Sequence, residues 1–498
     1  MSLRITYAGS IQFITLFATL FTGLAFVTII TRNLTVEEFG LWQILGTSAG
    51  LAILPLSPIY YWTLRFISRG EDVGKTALYS SIVSLPLIIG LYLVLMTVVE
   101  TTLTGILFFA VIFTVQIPFL VIFESLKGVI QGSRPQFMGY ASIPFEIGKV
   151  IAAYYLVIIH GMGLMGAIIS LAAAHSIQVL VMAYGARDRL RGKFQLNILR
   201  SWMHASWIPI LGTLASRLWL IDALIISIII GSTMVAGLFQ AARTFVAIVS
   251  YSEIFLRVMY PKLMRDRIAS DVSLSVKLQT MIQVPLAVGA FVLAEPLLGL
   301  LNIDYVVSAT LLRVLVLVII IEGFEHVMDF VLIGAERSDV DIKNLKFSKL
   351  KGSWLVKLPL LDLAKTIIYL AILIPTIFFV NLQGASEITL ALYWGIIFGI
   401  TVVPFTVIKI IAARKVLPHH IPLYEMSKYA LSGVFMAIFL YYYTSTYLWV
   451  DFTLLGTLFY LVVPGITSLA IYAAFVYILD PYFRSLIHIV IDKIGRSE

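Results

Sequence analysis

Long apolar stretches separated by short polar connections dominate the pattern of hydrophobic and polar residues along the chain. Fourteen of these stretches approach or exceed the roughly 20 apolar residues that an α-helix needs to cross a bilayer. They cover residues 8–30, 36–57, 77–98, 103–123, 140–159, 163–184, 205–230, 233–255, 279–301, 306–332, 358–380, 387–410, 425–446 and 453–478. The pattern predicts an all-α polytopic membrane protein with about fourteen transmembrane helices.

Positive charge is concentrated in alternate connections between these stretches. The connections after even-numbered stretches, together with both tails, hold most of the 35 Lys and Arg residues. Examples are Arg65, Lys127, Arg187, Lys277 and Lys409. The other connections hold almost no Lys or Arg, and Arg32 is the exception. Because cytoplasmic loops carry the excess of Lys and Arg, this alternation predicts a multi-pass protein of the cell membrane with both termini in the cytoplasm.

Composition agrees with a membrane protein and excludes other classes. The chain is 60% hydrophobic and 12% charged, whereas soluble domains carry about 25% charged residues. It contains no Cys, which excludes disulfides and thiolate metal sites. A Gly-x-x-x-x-Gly-Lys phosphate loop and a His-x-x-x-His pair are missing from the sequence. We therefore predict neither an enzyme, nor a cofactor, nor a nucleic-acid partner; the net charge of +8 indicates topology and contact with anionic lipid.

Two short sequence similarities recur in the same order in the two halves of the chain. Residues 40–43 (Gly-Leu-Trp-Gln) open the second stretch, and residues 237–240 (Gly-Leu-Phe-Gln) open the eighth. The fifth and eleventh stretches each place an acid three residues before a lysine, at 146–149 and 362–365. Helices 1–6 are thus predicted to repeat as helices 7–12. Because six is even, the repeats are parallel, as in transporters with a site near the midplane between the halves.

This repeat predicts a division of the chain into three parts. We predict an N-lobe with helices 1–6 over residues 1–186, and a linker plus C-lobe with helices 7–12 over residues 187–415. Residues 416–498 contain the terminal pair, helices 13 and 14, and an interfacial C-terminal helix that begins near Asp480. The apolar residues on one side of that last segment are typical of a helix lying in the membrane surface; a frayed tail is the alternative.

Five cations lie well inside the apolar stretches, away from the stretch ends, where a charge is costly and faces a bundle interior or a water-filled cavity. One interpretation is neutralisation by an acid one turn away on the same helix. The other is anion binding, since the planar guanidinium of Arg bonds two phosphate oxygens, and Arg243 has no acid within one turn on its own helix. The candidate substrate-binding residues are Arg217, Arg243, Lys149, Lys365, Arg32, Arg313, Asp222, Glu146 and Asp362.

Helix 10 carries the opposite charge. Glu322, Glu325, His326 and Asp329 are spaced i, i+3, i+4 and i+7, which places them on one helix face. Acids and His within spans mark proton or cation pathways. These four are candidate ion-coupling residues for H⁺ or Na⁺; the alternative is that they are fixed ion-pair partners of the intramembrane cations.

Two helix junctions resemble those of polysaccharide flippases of the Wzx type. Residues 32–40 (Arg-Asn-Leu-Thr-Val-Glu-Glu-Phe-Gly) form the junction of helices 1 and 2, and within them Thr35 and Glu38 fit a capping box at the start of helix 2. Residues 301–305 (Leu-Asn-Ile-Asp-Tyr), followed by 312–315 (Leu-Arg-Val-Leu), form the junction of helices 9 and 10. With the helix count and spacing, these motifs make the whole chain similar to this lipid-linked oligosaccharide flippase family of the multidrug/oligosaccharidyl-lipid/polysaccharide exporter superfamily.

The resemblance implies two lobes in a V shape and alternating access. Its implied cargo is an oligosaccharide on a polyprenyl phosphate or diphosphate, moved from the cytoplasmic to the outer leaflet. Membrane lipids and polysaccharide assembly proteins are the implied partners. One alternative is a multidrug or organic-cation antiporter of the same superfamily; those resemble twelve-helix proteins with an acid in helix 1, whereas residues 8–30 contain no charge. The other is a non-transporting membrane scaffold, which the five intramembrane cations disfavour.

Overall fold

The computed structural model of the chain describes residues 2–204, 206–253, 256, 268–334, 352–418, 420–449, 452–485 and 487–488. Within these ranges the secondary structure is helical and no β-strand occurs. The α-helices are, in chain order, α1 (Ser2–Asn33), α2 (Val36–Ala52), α3 (Ser57–Ser68), α4 (Gly74–Val83), α5 (Leu85–Glu100), α6 (Ile106–Phe113), α7 (Ile117–Ser133), α8 (Gln136–Ala153), α9 (Gly163–Leu190), α10 (Leu196–His204), α11 (Trp207–Trp219), α12 (Asp222–Ile230), α13 (Met234–Ser250), α14 (Ala269–Val292), α15 (Ala294–Leu301), α16 (Ala309–Gly334), α17 (Trp354–Leu382), α18 (Glu387–Val416), α19 (Leu423–Thr446) and α20 (Leu454–Leu479).

The membrane-spanning helices agree with the apolar pattern. In the described part of the chain, ten helices are long and apolar enough to cross a membrane, and two bent helix pairs raise the number to twelve. Each of these overlaps one predicted stretch. The two remaining predicted stretches fall on α1, with 32 residues, and α19, with 24 residues. The predicted fold class, an all-α polytopic membrane protein, is confirmed.

The two bent spans have a cause in the sequence. Helices α4 and α5 meet at 42°, and α6 and α7 meet at 45°. Pro86 and Pro118 lie in the first turns of α5 and α7. Proline has no backbone N–H and its ring crowds the carbonyl of the preceding turn. Each span therefore continues past its proline only as a new helix in a different direction.

A capping box starts α2, as the sequence predicts. The Glu38 backbone N–H donates to the Thr35 hydroxyl oxygen at 3.1 Å, and the Thr35 backbone N–H donates to the Glu38 carboxylate at 2.9 Å. Both bonds satisfy amides that a helix N-terminus otherwise leaves without partners. Two of the motif positions that resemble flippases are thus explained by helix capping.

The described chain divides into two compact units. The first contains residues 1–240 and 374–387, and the second contains residues 241–373 and 388–498. In the first unit, buried Val129, Ala141 and Met182 pack together between α7, α8 and α9. In the second, α14 packs on α16 through Val276 and Met328. The lobe boundaries proposed from the sequence remain a prediction.

Some sequence predictions concern segments that the structure does not describe or places differently. Most of the predicted interfacial C-terminal helix, residues 489–498, and the basic connections at 257–267 and 335–351 lie outside the described residues. Lys277, predicted in the connection before the ninth stretch, lies within α14, because that helix already begins at Ala269. The apolar pattern misses this start because the first turns of α14 are polar.

Candidate functional site

A cluster of charged side chains joins three helices in the second unit. Glu325 and Asp329 project from α16, Asp362 from α17 and Lys409 from α18. The Lys409 ammonium nitrogen (Nζ) lies 2.6 Å from Glu325 Oε1, 2.8 Å from Asp329 Oδ1 and 2.7 Å from Asp362 Oδ1. We call the three carboxylates the acidic cage. Its central lysine is 1% exposed, so the cage holds a cation shielded from solvent.

A second lysine binds the same cage from outside its centre. The Lys365 Nζ lies 2.6 Å from Glu325 Oε1, the oxygen that also accepts a hydrogen bond from Lys409 at 2.6 Å. Glu325 and Asp329 are one turn apart on α16 and therefore face the same side. Thus Glu325 is held by two cations, and one of them could leave without leaving the carboxylate unpaired.

Lys409 is the member of this cluster that sequence reasoning missed. It was predicted to lie in a cytoplasmic connection, and this prediction is wrong because α18 continues to Val416 with Lys409 buried inside it. Its position within the apolar stretch 387–410 was the available signal. The two residues expected to pair locally on α17 bind partners on other helices: Asp362 binds Lys409, and Lys365 binds Glu325.

The corresponding acid–lysine pair on α8 closes within one helix turn, as expected. Lys149 Nζ lies 2.6 Å from Glu146 Oε2, and both residues are less than 10% exposed. The Thr22 hydroxyl of α1 donates to the same Glu146 oxygen at 2.6 Å. The ammonium group also lies 5.3 Å from the centre of the Phe145 ring and 5.6 Å from that of Phe26. These contacts neutralise and cover Lys149.

The four residues of the predicted acidic face of α16 have different partners. Glu325 and Asp329 belong to the cage. His326 Nδ1 lies 2.9 Å from Glu253 Oε1. Glu322 is half-buried, and the charges of His326, Lys365 and Arg243 act on its carboxylate. One helix face therefore supplies both a lysine-filled cage and a separate acid near an arginine.

Arg217 and Arg243 differ from the intramembrane lysines. Both are half-buried, and neither forms a hydrogen bond or ion pair with any other residue that the structure describes. The Arg217 guanidinium lies over the backbone of Gly50 in α2, where an added Cβ atom would lie 2.9 Å from Arg217 Nη1. Their planar donor groups are thus available to a ligand.

The other predicted site residues have fixed contacts. Arg313 Nη2 donates to both carboxylate oxygens of Glu295, at 2.6 Å and 2.7 Å. Asp222 is 3% exposed, and its Oδ1 accepts from the Ala223 backbone N–H at 2.7 Å. Arg32 is half-buried at the end of α1. Asp222 begins α12, where a carboxylate also compensates the positive end of the helix dipole.

Comparisons with known proteins identify the fold. No protein-family model and no curated protein sequence matches the chain. The structure is similar to the lipid II flippase MurJ in an inward closed conformation, with a TM-score of 0.61 and 13% identity over 95% of this chain and 100% of that one. It is also similar to an inward-facing multidrug resistance MATE family transporter of the MOP superfamily. That match has a TM-score of 0.57 and 13% identity over 80% of this chain and 95% of the other. The chain has the fold of these membrane transporters.

Proposed function

We propose that the chain is a flippase for an oligosaccharide linked to a polyprenyl phosphate or diphosphate, not an enzyme. Alternating access would carry the headgroup from the cytoplasmic to the outer leaflet while the polyprenyl tail stays in lipid. The fold similarity to a lipid II flippase supports this proposal, as do the junction motifs that resemble Wzx flippases. A protein path is required because moving a charged, hydrated headgroup through hydrocarbon is prohibitive.

The contrast between the arginines and the lysines carries the proposal. Lys149, Lys365 and Lys409 each lie within 2.6 Å of a carboxylate oxygen. Arg217 and Arg243 have no such bond to a described residue, although a charge within a span is costly. A bound anion would compensate that cost. The bidentate geometry of Arg favours phosphate, and we therefore propose that each arginine binds oxygens of the cargo's phosphate groups.

Lys365 is a further proposed cargo ligand. Because Lys409 also binds Glu325 Oε1, Lys365 can turn towards an anion while Glu325 keeps one cation. By contrast, Glu146–Lys149 and Glu295–Arg313 are closed pairs. We propose that these two pairs stabilise the helices rather than contact cargo.

We propose that the residues of α16 outside the acidic cage couple transport to an ion gradient. Glu325 and Asp329 are bound by Lys409, which leaves Glu322 and His326 as the exchangeable groups for H⁺ or Na⁺. Replacing Glu322 by Gln should abolish the dependence of transport on an ion gradient and preserve cargo binding. Unchanged gradient dependence in Glu322→Gln vesicles would favour a fixed ion-pair role.

The flipping of a polyprenyl-diphosphate sugar in proteoliposomes tests the function. A charge-assisted hydrogen bond contributes about 1.5–3 kcal/mol, so Arg217→Ala and Arg243→Ala should each weaken cargo binding by about one to two decades. Arg→Lys should restore binding only partly, because Lys keeps the charge and loses the planar fork. Arg134→Ala is the matched control, because Arg134 binds Asp188 outside the predicted apolar stretches. This variant should flip cargo at the wild-type rate.

Two results would contradict this function. Arg217→Ala and Arg243→Ala proteins that melt at the wild-type temperature and flip at the wild-type rate would exclude both arginines as phosphate ligands. Absence of flipping by the wild-type protein, together with export of an organic cation such as ethidium, would favour the alternative of a multidrug antiporter. The fold similarity to a MATE transporter is the observation that supports this second candidate.

A further inference from the structure

The acidic cage has the geometry of a cation site. Oxygen atoms of Glu325, Asp329 and Asp362 lie within 4.8 Å of one another. Carboxylate oxygens are the ligands that Na⁺-like and Mg²⁺-like hard cations take in proteins. The three ligands come from α16 and α17, whereas the group at their centre, Lys409 Nζ, comes from α18 and lies 2.6–2.8 Å from each carboxylate.

The three carboxylates of the acidic cage need a positive charge between them to remain ionised. Carboxylates that share one site disfavour each other's ionised form, and burial adds to that effect. The Lys409 ammonium offsets both, and its three N–H groups match the three acceptors in number. Thr406, one turn before Lys409 on α18, places its hydroxyl 3.5 Å from Glu325 Oε2. Each of the three carboxylates thus directs an oxygen at the Lys409 ammonium.

We infer that the cage is a cation-binding site whose ion is supplied by the chain itself, with the Lys409 ammonium in the place of a free Na⁺ or Mg²⁺ ion. The site needs no exogenous metal, whatever the cargo is. Lys409 is a positioning residue, because it binds all three carboxylates at once. Removing the Lys409 side chain should leave a cavity with the ligands and charge for a small cation.

Thermal unfolding of the purified full-length protein in detergent tests this inference. Every protein in this test carries Glu322→Gln, which removes the acid proposed for ion coupling. The melting temperature of this Glu322→Gln parent protein should be the same in NaCl, MgCl₂ and choline chloride at equal ionic strength. Lys409→Ala should melt lower in choline chloride, and its melting temperature should rise saturably with NaCl or MgCl₂, because a ligand that binds only the folded state stabilises it. Lys409→Gln, which keeps a hydrogen-bond donor, should show a smaller response in the same direction.

A matched control separates a cation site from a general salt effect. Lys149 is the same residue type and is also buried, at 8% exposure, but it binds the single carboxylate of Glu146. Lys149→Ala should melt lower in every salt without a saturable response. A triple variant, Lys409→Ala with Asp329→Asn and Asp362→Asn, retains the Glu325–Lys365 pair. It should be equally stable in all three salts.

Three outcomes would overturn the inference. One is a melting temperature of the Glu322→Gln parent protein that rises saturably with Na⁺ or Mg²⁺, since the cage would then bind a free ion. Another is a folded Lys409→Ala protein with no cation response beyond that of Lys149→Ala. The third is failure of Lys409→Ala and Lys409→Gln to fold in NaCl or MgCl₂ while the triple variant folds, because a cage open to cations would be filled under those conditions.

Discussion

Gly40 of α2 and Gly237 at the start of α13 pack reciprocally against each other's backbone. A Cβ atom on Gly40 would overlap the carbonyl oxygen of Thr233, and one on Gly237 would overlap the carbonyl oxygen of Val36. Each carbonyl lies four residues before the opposite glycine. The Thr233 hydroxyl also donates to the Glu37 carbonyl oxygen at 2.7 Å. The repeated tetrapeptides therefore mark a symmetric contact between two helices.

The first prediction is that Gly40→Ala and Gly237→Ala lower the melting temperature. The overlapping atoms belong to the backbone, so no side-chain rotation relieves the contact and the two helices must separate. As for overpacked cores, this should lower the free energy of unfolding by about 1–3 kcal/mol. Gly46→Ala in the same helix is the control, because a Cβ atom there meets no atom within 4 Å. Equal melting temperatures for Gly40→Ala and Gly46→Ala would show that the crossing is not tight.

The sequence predicts this molecule well where the information is local. Span positions follow from apolar stretches, the α2 capping box from Thr35 and Glu38, and the α8 ion pair from the spacing of Glu146 and Lys149. The residues at 40–43 and 237–240 were recognisable as a repeat. Their mutual contact was not, because similarity between two segments does not say that they touch.

Contacts that involve several helices could not be predicted from the sequence. The acidic cage requires the rotation of α16, α17 and α18 about their axes to bring Lys409 and Asp362 to one point. Short-range spacing fixes which residues share a face of one helix, and it leaves open which neighbouring face is opposite. For the same reason Glu295, the partner of Arg313, was absent from the predicted site.

The second prediction concerns a substitution, Gly50→Ala, that displaces the Arg217 side chain and keeps its charge. A Cβ atom on Gly50 would crowd the Arg217 guanidinium, the end of a flexible side chain that can shift. Gly50→Ala should therefore preserve folding and weaken cargo binding by about tenfold, through partial loss of a charge-assisted bond. Gly46→Ala adds the same methyl group one turn away in open space and controls for helix propensity. Proteoliposome flipping rates that are equal for the two variants would contradict a role for the Arg217 position.

The third prediction concerns orientation in the membrane. The chain contains no Cys, so single cysteines can be labelled without background. Gln383→Cys, in the exposed connection between α17 and α18, should react with an impermeant thiol reagent added outside intact cells. Glu71→Cys, exposed between α3 and α4, should react only after permeabilisation. The reverse result would invert the topology that the cation distribution predicts.

The last prediction rests on Asp480, which joins α14, α19 and α20 just beyond the end of α20. Its carboxylate accepts hydrogen bonds from the Tyr429 hydroxyl at 2.7 Å and from Lys277 Nζ at 3.1 Å. Burial acts to raise the pKa of Asp480, but the hydrogen bonds from Tyr429 and Lys277 outweigh it and hold that pKa below its ordinary value. The ionised carboxylate therefore stabilises the folded state.

The sign of the pH dependence follows from this lowered pKa. The stabilisation is fully present above the unfolded-state pKa of about 3.9, and it is lost as the pH falls through the lower folded-state pKa. Tyr429→Phe removes a bond to a charged group and should cost about 1.5–3 kcal/mol of unfolding free energy at neutral pH. Its deficit should begin to shrink below about pH 4, where Asp480 of the unfolded chain becomes protonated, and should vanish once the pH is below the folded-state pKa as well.

Tyr472→Phe provides the control for this pH series. The Tyr472 hydroxyl donates to the backbone carbonyl oxygen of Met281 at 2.8 Å, and that acceptor does not titrate. Its loss should lower the melting temperature by an amount that stays constant with pH. Thermal unfolding of both variants and the wild type between neutral and acid pH makes the comparison. A Tyr429→Phe deficit that is as constant with pH as that of Tyr472→Phe would rule out an ionised Asp480 as the group that fastens α19 and α20 to α14.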